Sequence, residues 1–296
     1  MILYPNCKIN LGLNIVGRRA DGYHNIETIF LPIPLADCLE MTPACEDSFV
    51  IDGRELDCLA NDNLVMKVLA LLRAEGIEVP PVAIRLTKNI PSGAGLGGGS
   101  TDAAFMIKGL NELFNLGLSN YRMAALVGKL GADCPVFINN VPVYAEGKGD
   151  EFYNLSLSMV EKSYFALPPI GSFLPPTIKL SMPEVLDGYW LVLVKPDDFV
   201  STREAYSSVI PHVSKVSLKN IISMPVRAWK GMMVNDFEQS VFASHPVIKG
   251  ILEQMYMLGA TYAAMSGSGS TVYGLFRNQP HLGDVFADHF QWQCRL

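Results

Sequence analysis

"IPSGAGLGGGSTDAA", residues 90–104, holds five glycines in fifteen positions and a single charge, Asp102. Glycine loses more backbone freedom on folding than any other residue, so such a cluster marks a place where the backbone itself must touch something. Upstream, Val82, Ile84 and Leu86 alternate as in a strand. Downstream, Ala103, Met106, Ile107, Leu110, Leu113 and Phe114 recur at helical spacing. The cluster therefore joins a strand to a helix N-terminus. Amides at such a terminus carry partial positive charge and bind anions where no side chain obstructs them. Residues 92–100 accordingly read as a phosphate cradle, although each glycine alone would be a turn residue.

Two common phosphate loops do not fit. Gly93, Gly95 and Gly98 satisfy GxGxxG. A dinucleotide fold puts that pattern in its first strand-to-helix turn, with an acid about 20 residues on. Here it comes late in the N-terminal half, and Glu112 lies inside a helical pattern. A P-loop needs lysine before its hydroxyl residue, and Gly99 precedes Ser100. The cradle lacks its own cation, so neutralisation would come from a metal ion carried in with a nucleotide. A second stretch, "AMSGSGSTVYGLF" at residues 264–276, suggests a cleft with phosphate between two domains.

The remaining chain is of mixed type. Ile9, Leu11 and Leu13 alternate with Asn10, Gly12 and Asn14, as in a strand. Asp21-Gly22 reads as a turn, and "NIETIFLPIPLADCLEM" as further strand. "NDNLVMKVLALLRAEG" is a helix with cap candidates at residues 61–63 and a stop at Gly76. "NYRMAALVGKLG" reads as a helix closed by Gly131. "YWLVLVKP", "PVIKGILEQMYMLG" and "STVYGLF" read as strand, helix and strand. Residues 159–188, with "LPPIGSFLPP", read as an inter-domain connection or surface excursion. The pattern predicts an α/β (α+β) protein in two halves.

The formal net charge of -6 argues against nucleic-acid binding, which leaves a basic footprint. Six cysteines without CxxC spacing suggest reduced thiols in a cytoplasmic enzyme. No apolar run is long enough to span a membrane, and Asn6, Lys8 and Asn10 interrupt the N-terminus as a signal peptide would not allow.

"PNCKINLGLNIVGRRADGYHNIETIF", "PSGAGLGGGSTDAA" and "GATYAAMSGSGSTVYGLF" resemble, in order and spacing, the three signatures of the GHMP small-molecule kinases. "GADCPVF" and "NDFE" fit as well. Cys7 and Cys134 stand where alanine and valine are common, and both are small. The "RRADGYHNIETIF" piece is most similar to members that phosphorylate 4-diphosphocytidyl-2-C-methyl-D-erythritol. The resemblance implies an N-terminal ATP-binding α/β domain, residues 1–160, and a C-terminal ferredoxin-like domain, residues 161–296. It implies ATP and Mg2+ as cofactors and transfer of the γ-phosphoryl to the 2-hydroxyl of the cytidyl substrate. The resemblance assigns no direct protein ligand to the metal. No nucleic acid or membrane partner is expected, and the chain is expected to be a monomer or weak homodimer.

By this matching Lys8 and Asp133 are the catalytic pair. ATP would be held by Asn63, Lys88, Pro91, Ser92, Gly93, Ala94, Gly95, Leu96, Gly97, Gly98, Gly99, Ser100 and Thr101. The cytidyl substrate would meet Asn10, Tyr23, His24, Thr202 and Tyr206. Taken singly, Lys8 reads as an edge charge, Asp133 as a turn cap and His24 as a surface residue. Their coincidence with the motifs gives them their roles. Two alternatives remain: a GHMP kinase for homoserine or a mevalonate derivative, and a silent ligand sensor on the same fold.

Overall fold

The computed structural model describes residues 1–54, 62–165 and 177–296. Asn61 and the "LPPIGSFLPP" run lie outside the described residues. The chain opens with β1 (Ile2–Leu3) and a long hairpin, β2 (Asn6–Arg18) and β3 (His24–Ala36). Then come β4 (Cys38–Pro43), β5 (Ser48–Gly53), α1 (Leu64–Ala74), β6 (Val82–Lys88) and α2 (Gly98–Leu113). α3 (Asn120–Gly128) and α4 (Val136–Asn139) lead to β7 (Val143–Glu146) and β8 (Glu151–Asn154). β9 (Met159–Phe165), β10 (Thr177–Pro183) and β11 (Trp190–Lys195) follow, then α5 (Thr202–Tyr206) and α6 (Leu218–Ile221). α7 (Phe237–Ser244), α8 (Pro246–Met257), β12 (Tyr262–Met265), β13 (Val272–Phe276) and β14 (Phe290–Arg295) complete it.

Local signals explain the elements near the cradle. Asn63 caps α1, its Oδ1 accepting from Val65 N at 2.9 Å, and Gly76 follows the helix at φ +75°. Asp21-Gly22 turns the β2–β3 hairpin, with Gly22 at φ +85°. α3 stops at Gly128, earlier than expected. Leu130 and Gly131 both donate to Val127 O, at 2.9 and 3.3 Å, in a tightened last turn.

The β2–β3 hairpin is central and contributes to every core, Phe30 to that around α2 and Ala36 to a small one with Ile178 and Leu180. Ile9, Leu11, Ile29 and Leu31 pack with Leu191, Leu193, Tyr262 and Tyr273. Ile15 and Ile26 join Val192, Ile248 and Phe276. α1, β6 and α2 build a separate core with Val68, Ile84, Met106 and Ile107. Strand alternation does not run through β2 unbroken. A bulge at Gly12 shifts the pairing from Leu11↔Ile29 to Leu13↔Thr28. Leu13 thereby turns onto the face of Asn10 and away from Leu11. Gly12 takes φ +70°, which suits glycine at a bulge.

The C-terminal sheet has the order β12-β13-β11-β14 with antiparallel neighbours, the order of a ferredoxin-like fold. The link from β13 to β14 is built of turns where that fold carries its second helix. One expectation is corrected: residues 159–188 are not a plain connection. β9 and β10 form an antiparallel ladder from Met159↔Pro183 to Phe165↔Thr177. Leu180 and Met182 are buried and anchor it. The expected division between residues 160 and 161 falls within β9.

Candidate active site

The glycine loop ends on an uncapped helix. Gly97 is the N-cap of α2 at φ +73°, and no side chain satisfies the first amides. Gly93 and Gly95 also sit at positive φ, +57° and +69°. A Cβ on Gly95 would lie 2.0 Å from Ser266 O. The two glycine-rich stretches therefore meet backbone to backbone. Ser266 Oγ donates to Gly95 O at 3.0 Å. The "NDFE" residues hold the second stretch. Asn235 Nδ2 donates to Met265 O and Gly267 O, both at 2.8 Å, and Glu238 accepts from Met265 N at 2.7 Å.

A cavity of about 500 Å³ opens over this loop. Asn63, Lys88 and every residue from Pro91 to Ser100 line it, with Phe199, Thr202 and Ser268 from the C-terminal half. Thr101 does not reach it. It is fully buried with its hydroxyl unpaired, because the fourth helical position faces the core. Lys88 lines the cavity, yet its ammonium is engaged by two buried carboxylates, Asp37 and Asp102, the latter at 2.6 Å. Burial opposes the charge on Lys88, but Asp102 and Asp37 hold its pKa above the usual range. Asp37 also accepts from the amides of Asn89 and Ile90, at 2.6 and 2.8 Å. The three side chains thus tie β6, the β3–β4 corner and α2 together at the two ends of the loop.

Lys8 stands at the other side of the loop. Its Nζ donates to Asn10 Oδ1 at 2.7 Å and Gly95 O at 3.0 Å, and lies 3.4 Å from Asp133 Oδ2. Its amide donates to Leu96 O at 3.0 Å, so β2 and the cradle are joined directly. Lys8 is only 3% exposed, while the Asp133 side chain is 36% exposed. The pair is therefore a fixed cation and a carboxylate open to a ligand. Asn10 is set by Thr28, which accepts from its Nδ2 at 3.0 Å. Tyr273 donates to Asn10 O at 3.0 Å, reaching across from the C-terminal sheet.

A second cavity of about 670 Å³ adjoins the first, and Gly95, Gly97, Thr202 and Ser268 line both. Lys8, Asn10, Tyr23, Asp133 and Tyr206 line it. His24 does not; its ring stacks on Tyr206. Sequence reading missed Leu13, Lys148, Asp150, Phe237 and Phe199. Lys148 sits between Gly147 and Gly149, at φ +68° and +88°, and its Nζ lies 5.0 Å from the centre of the Tyr23 ring. The glycine pair in "EGKGDE" was the available signal for that turn. Among the described residues, no three or more His, Cys, Asp or Glu gather where they could hold a metal.

The GHMP kinases N terminal domain matches residues 63–140, and the GHMP kinases C terminal domain matches residues 218–289. A 4-diphosphocytidyl-2-C-methyl-D-erythritol kinase of Bacteroides fragilis is 51% identical over 301 residues, covering 100% of both chains. The chain belongs to the GHMP kinases. Another GHMP kinase of the same description, from Parabacteroides distasonis, is 47% identical and also covers 100% of both. A crystal structure of 4-(cytidine 5'-diphospho)-2C-methyl-D-erythritol kinase superposes with TM-score 0.72 at 30% identity, covering 93% of this chain and 90% of that one. The mevalonate kinase of Methanococcus jannaschii shares the GHMP fold, with TM-score 0.59 at 17% identity over 100% and 98% of the two chains. No described helix is long and apolar enough to cross a membrane.

Proposed function

We propose that this GHMP kinase transfers the γ-phosphoryl group of ATP to the 2-hydroxyl of 4-diphosphocytidyl-2-C-methyl-D-erythritol, giving the 2-phosphate and ADP. The observation that carries the mechanism is the 3.4 Å approach of Lys8 to Asp133 beside residues that line both cavities. ATP occupies the cavity over the glycine loop, with its phosphates on the α2 amides. The cytidyl substrate occupies the adjoining cavity. Asp133 accepts the proton of the attacking hydroxyl as bonding to phosphorus develops. Lys8 holds Asp133 in place and stabilises the charge on the transferring group. Asn10 orients Lys8 through the 2.7 Å hydrogen bond. Mg2+ fits this scheme as an ion brought in on the nucleotide's phosphates, where it would neutralise their charge; Ser100, a cradle hydroxyl lining the cavity, would be placed to hold it. The enzyme works in the cytoplasm, as its free thiols suggest.

The test is ADP release measured in parallel with the cytidyl substrate, homoserine and mevalonate. Turnover with the cytidyl compound alone supports the assignment. Turnover with either of the others instead overturns it.

A further inference from the structure

The segment 198–206, running from the end of β11 through α5, touches both cavities. Phe199 lies over the cradle, where a Cβ on Gly93 would come within 2.7 Å of its ring. Thr202 lines both cavities and Tyr206 lines the second. Ser270, in the second glycine-rich stretch, donates to Asp198 O at 2.7 Å.

A histidine from outside the segment grips it at two points. His245, at the junction of α7 and α8, meets Asp198 Oδ2 through Nδ1 at 3.1 Å and Glu204 Oε1 through Nε2 at 2.9 Å. A neutral imidazole has one N–H, so donating to both carboxylates requires the imidazolium. The other charged groups of the packed elements are engaged or turned away. Glu238 of α7 accepts from Met265 N, and Lys249 of α8 pairs with Glu253 at 3.6 Å. Asp197, just before the segment, and Arg203 within it are exposed.

We propose that His245, as the imidazolium, is a positioning residue that clamps segment 198–206 against both substrate cavities, making substrate affinity depend on its protonation. The proposal rests on the reading of the two cavities as the ATP and cytidyl sites. Burial disfavours the charged ring, but Asp198 and Glu204 outweigh it and raise its pKa. The sign follows. The clamp is complete below that raised pKa and is lost as pH rises through it. Both Michaelis constants rise over that window, while kcat changes least, because Lys8 and Asp133 lie outside the segment.

The test measures both Michaelis constants between about pH 6 and pH 9 for the unmodified enzyme, Glu204→Gln and His245→Gln. An NMR titration of the His245 ring accompanies it. Expected are a rise of about fivefold in the unmodified enzyme, the scale a partly exposed ion pair sustains, and a flat, elevated profile in both variants. Glu204→Gln covers the case in which His245→Gln disturbs the helix junction. Folded variants that keep the unmodified profile overturn the clamp. So does a His245 ring that titrates at or below about 6.5, the ordinary value. If the cytidyl compound is no substrate but nucleotide binding still follows His245, the functional reading fails and the clamp stands.

Discussion

His24 lies flat against Tyr206, with ring centroids 4.8 Å apart and planes within 13°. Phe237 closes on Tyr206 edge-on at 4.7 Å. The imidazole therefore covers one face of Tyr206; under the proposed function, a cytosine ring stacking on that face would displace His24. Tyr23, 61% exposed, offers the other wall of the slot.

Tyr206→Ala is expected to raise the Michaelis constant for the cytidyl substrate roughly tenfold or more, by analogy with base stacking worth about 1–3 kcal/mol. The constant for ATP should hardly move. A uridyl analogue should be a poor substrate for the unmodified enzyme, since a site built for one polar edge rejects another. Steady-state kinetics with both nucleotidyl compounds check this. A variant that loses ATP affinity and keeps cytidyl affinity removes the slot.

Asp133→Asn should lower kcat by about 10²–10⁴, the range for general-base assistance, with the ATP dissociation constant nearly unchanged. Lys8→Ala should lose as much turnover and also perturb Gly95, whose carbonyl it holds at 3.0 Å. Single-turnover rates and nucleotide titrations separate the two effects. Near-normal turnover of Asp133→Asn excludes it as the base.

The glycines are not equivalent. Gly95→Ala should be the most damaging, since its Cβ would meet Ser266 O at 2.0 Å and the backbone sits at φ +69°. Gly97→Ala puts a methyl 3.2 Å from Lys8 Cε, so it should depress kcat as well as ATP affinity. Gly98 has no positive φ, and its Cβ would meet the Ile90 side chain at 3.0 Å, so Gly98→Ala should be the mildest. ATP titration with circular dichroism on each variant checks the order. Equal losses across the three contradict it.

Glu238 provides a pH signature. Burial, only partly offset by the Met265 amide, pushes its carboxyl up to about 7. A carboxyl raised above its unfolded value of about 4.3 costs stability as pH climbs from one value to the other. Glu238→Gln should therefore match the unmodified protein at pH 4 and exceed it by about 4 kcal/mol at pH 8. Urea unfolding at both values measures the difference. Parallel pH profiles of the two proteins refute the assignment.

The motif residues were legible because their chemistry is local: a strand, a run of glycines and a helix start announce themselves within residues 82–114. The Lys8–Asp133 pair was reached through resemblance, since nothing in either neighbourhood alone outweighs an edge charge or a turn cap. Lys148, Phe199 and His245 stayed hidden for a different reason. Each acts through neighbours that only the closed chain supplies, and composition around them is that of ordinary loops. The turn of Leu13 toward the site was unreadable too, because a bulge at Gly12 leaves the alternation of letters intact while reversing the faces. Thr101 failed in the opposite sense, since membership of a motif does not say which way a helical side chain points.

The β2–β3 hairpin serves cores that reach far into the C-terminal half: Ile9 and Ile29 pack with Tyr273, and Ile15 packs with Val192. A chain cut after β8 would leave those hairpin faces bare, and the remainder would lose the wall it folds against. The two halves should therefore melt together. Calorimetry is expected to give a single peak whose van't Hoff and measured enthalpies agree. Fragments of either half expressed alone should aggregate, yet recover activity when co-refolded. Heredity follows the same logic, because a recombination event between β8 and β11 from divergent parents must match side chains across that wall or lose the protein.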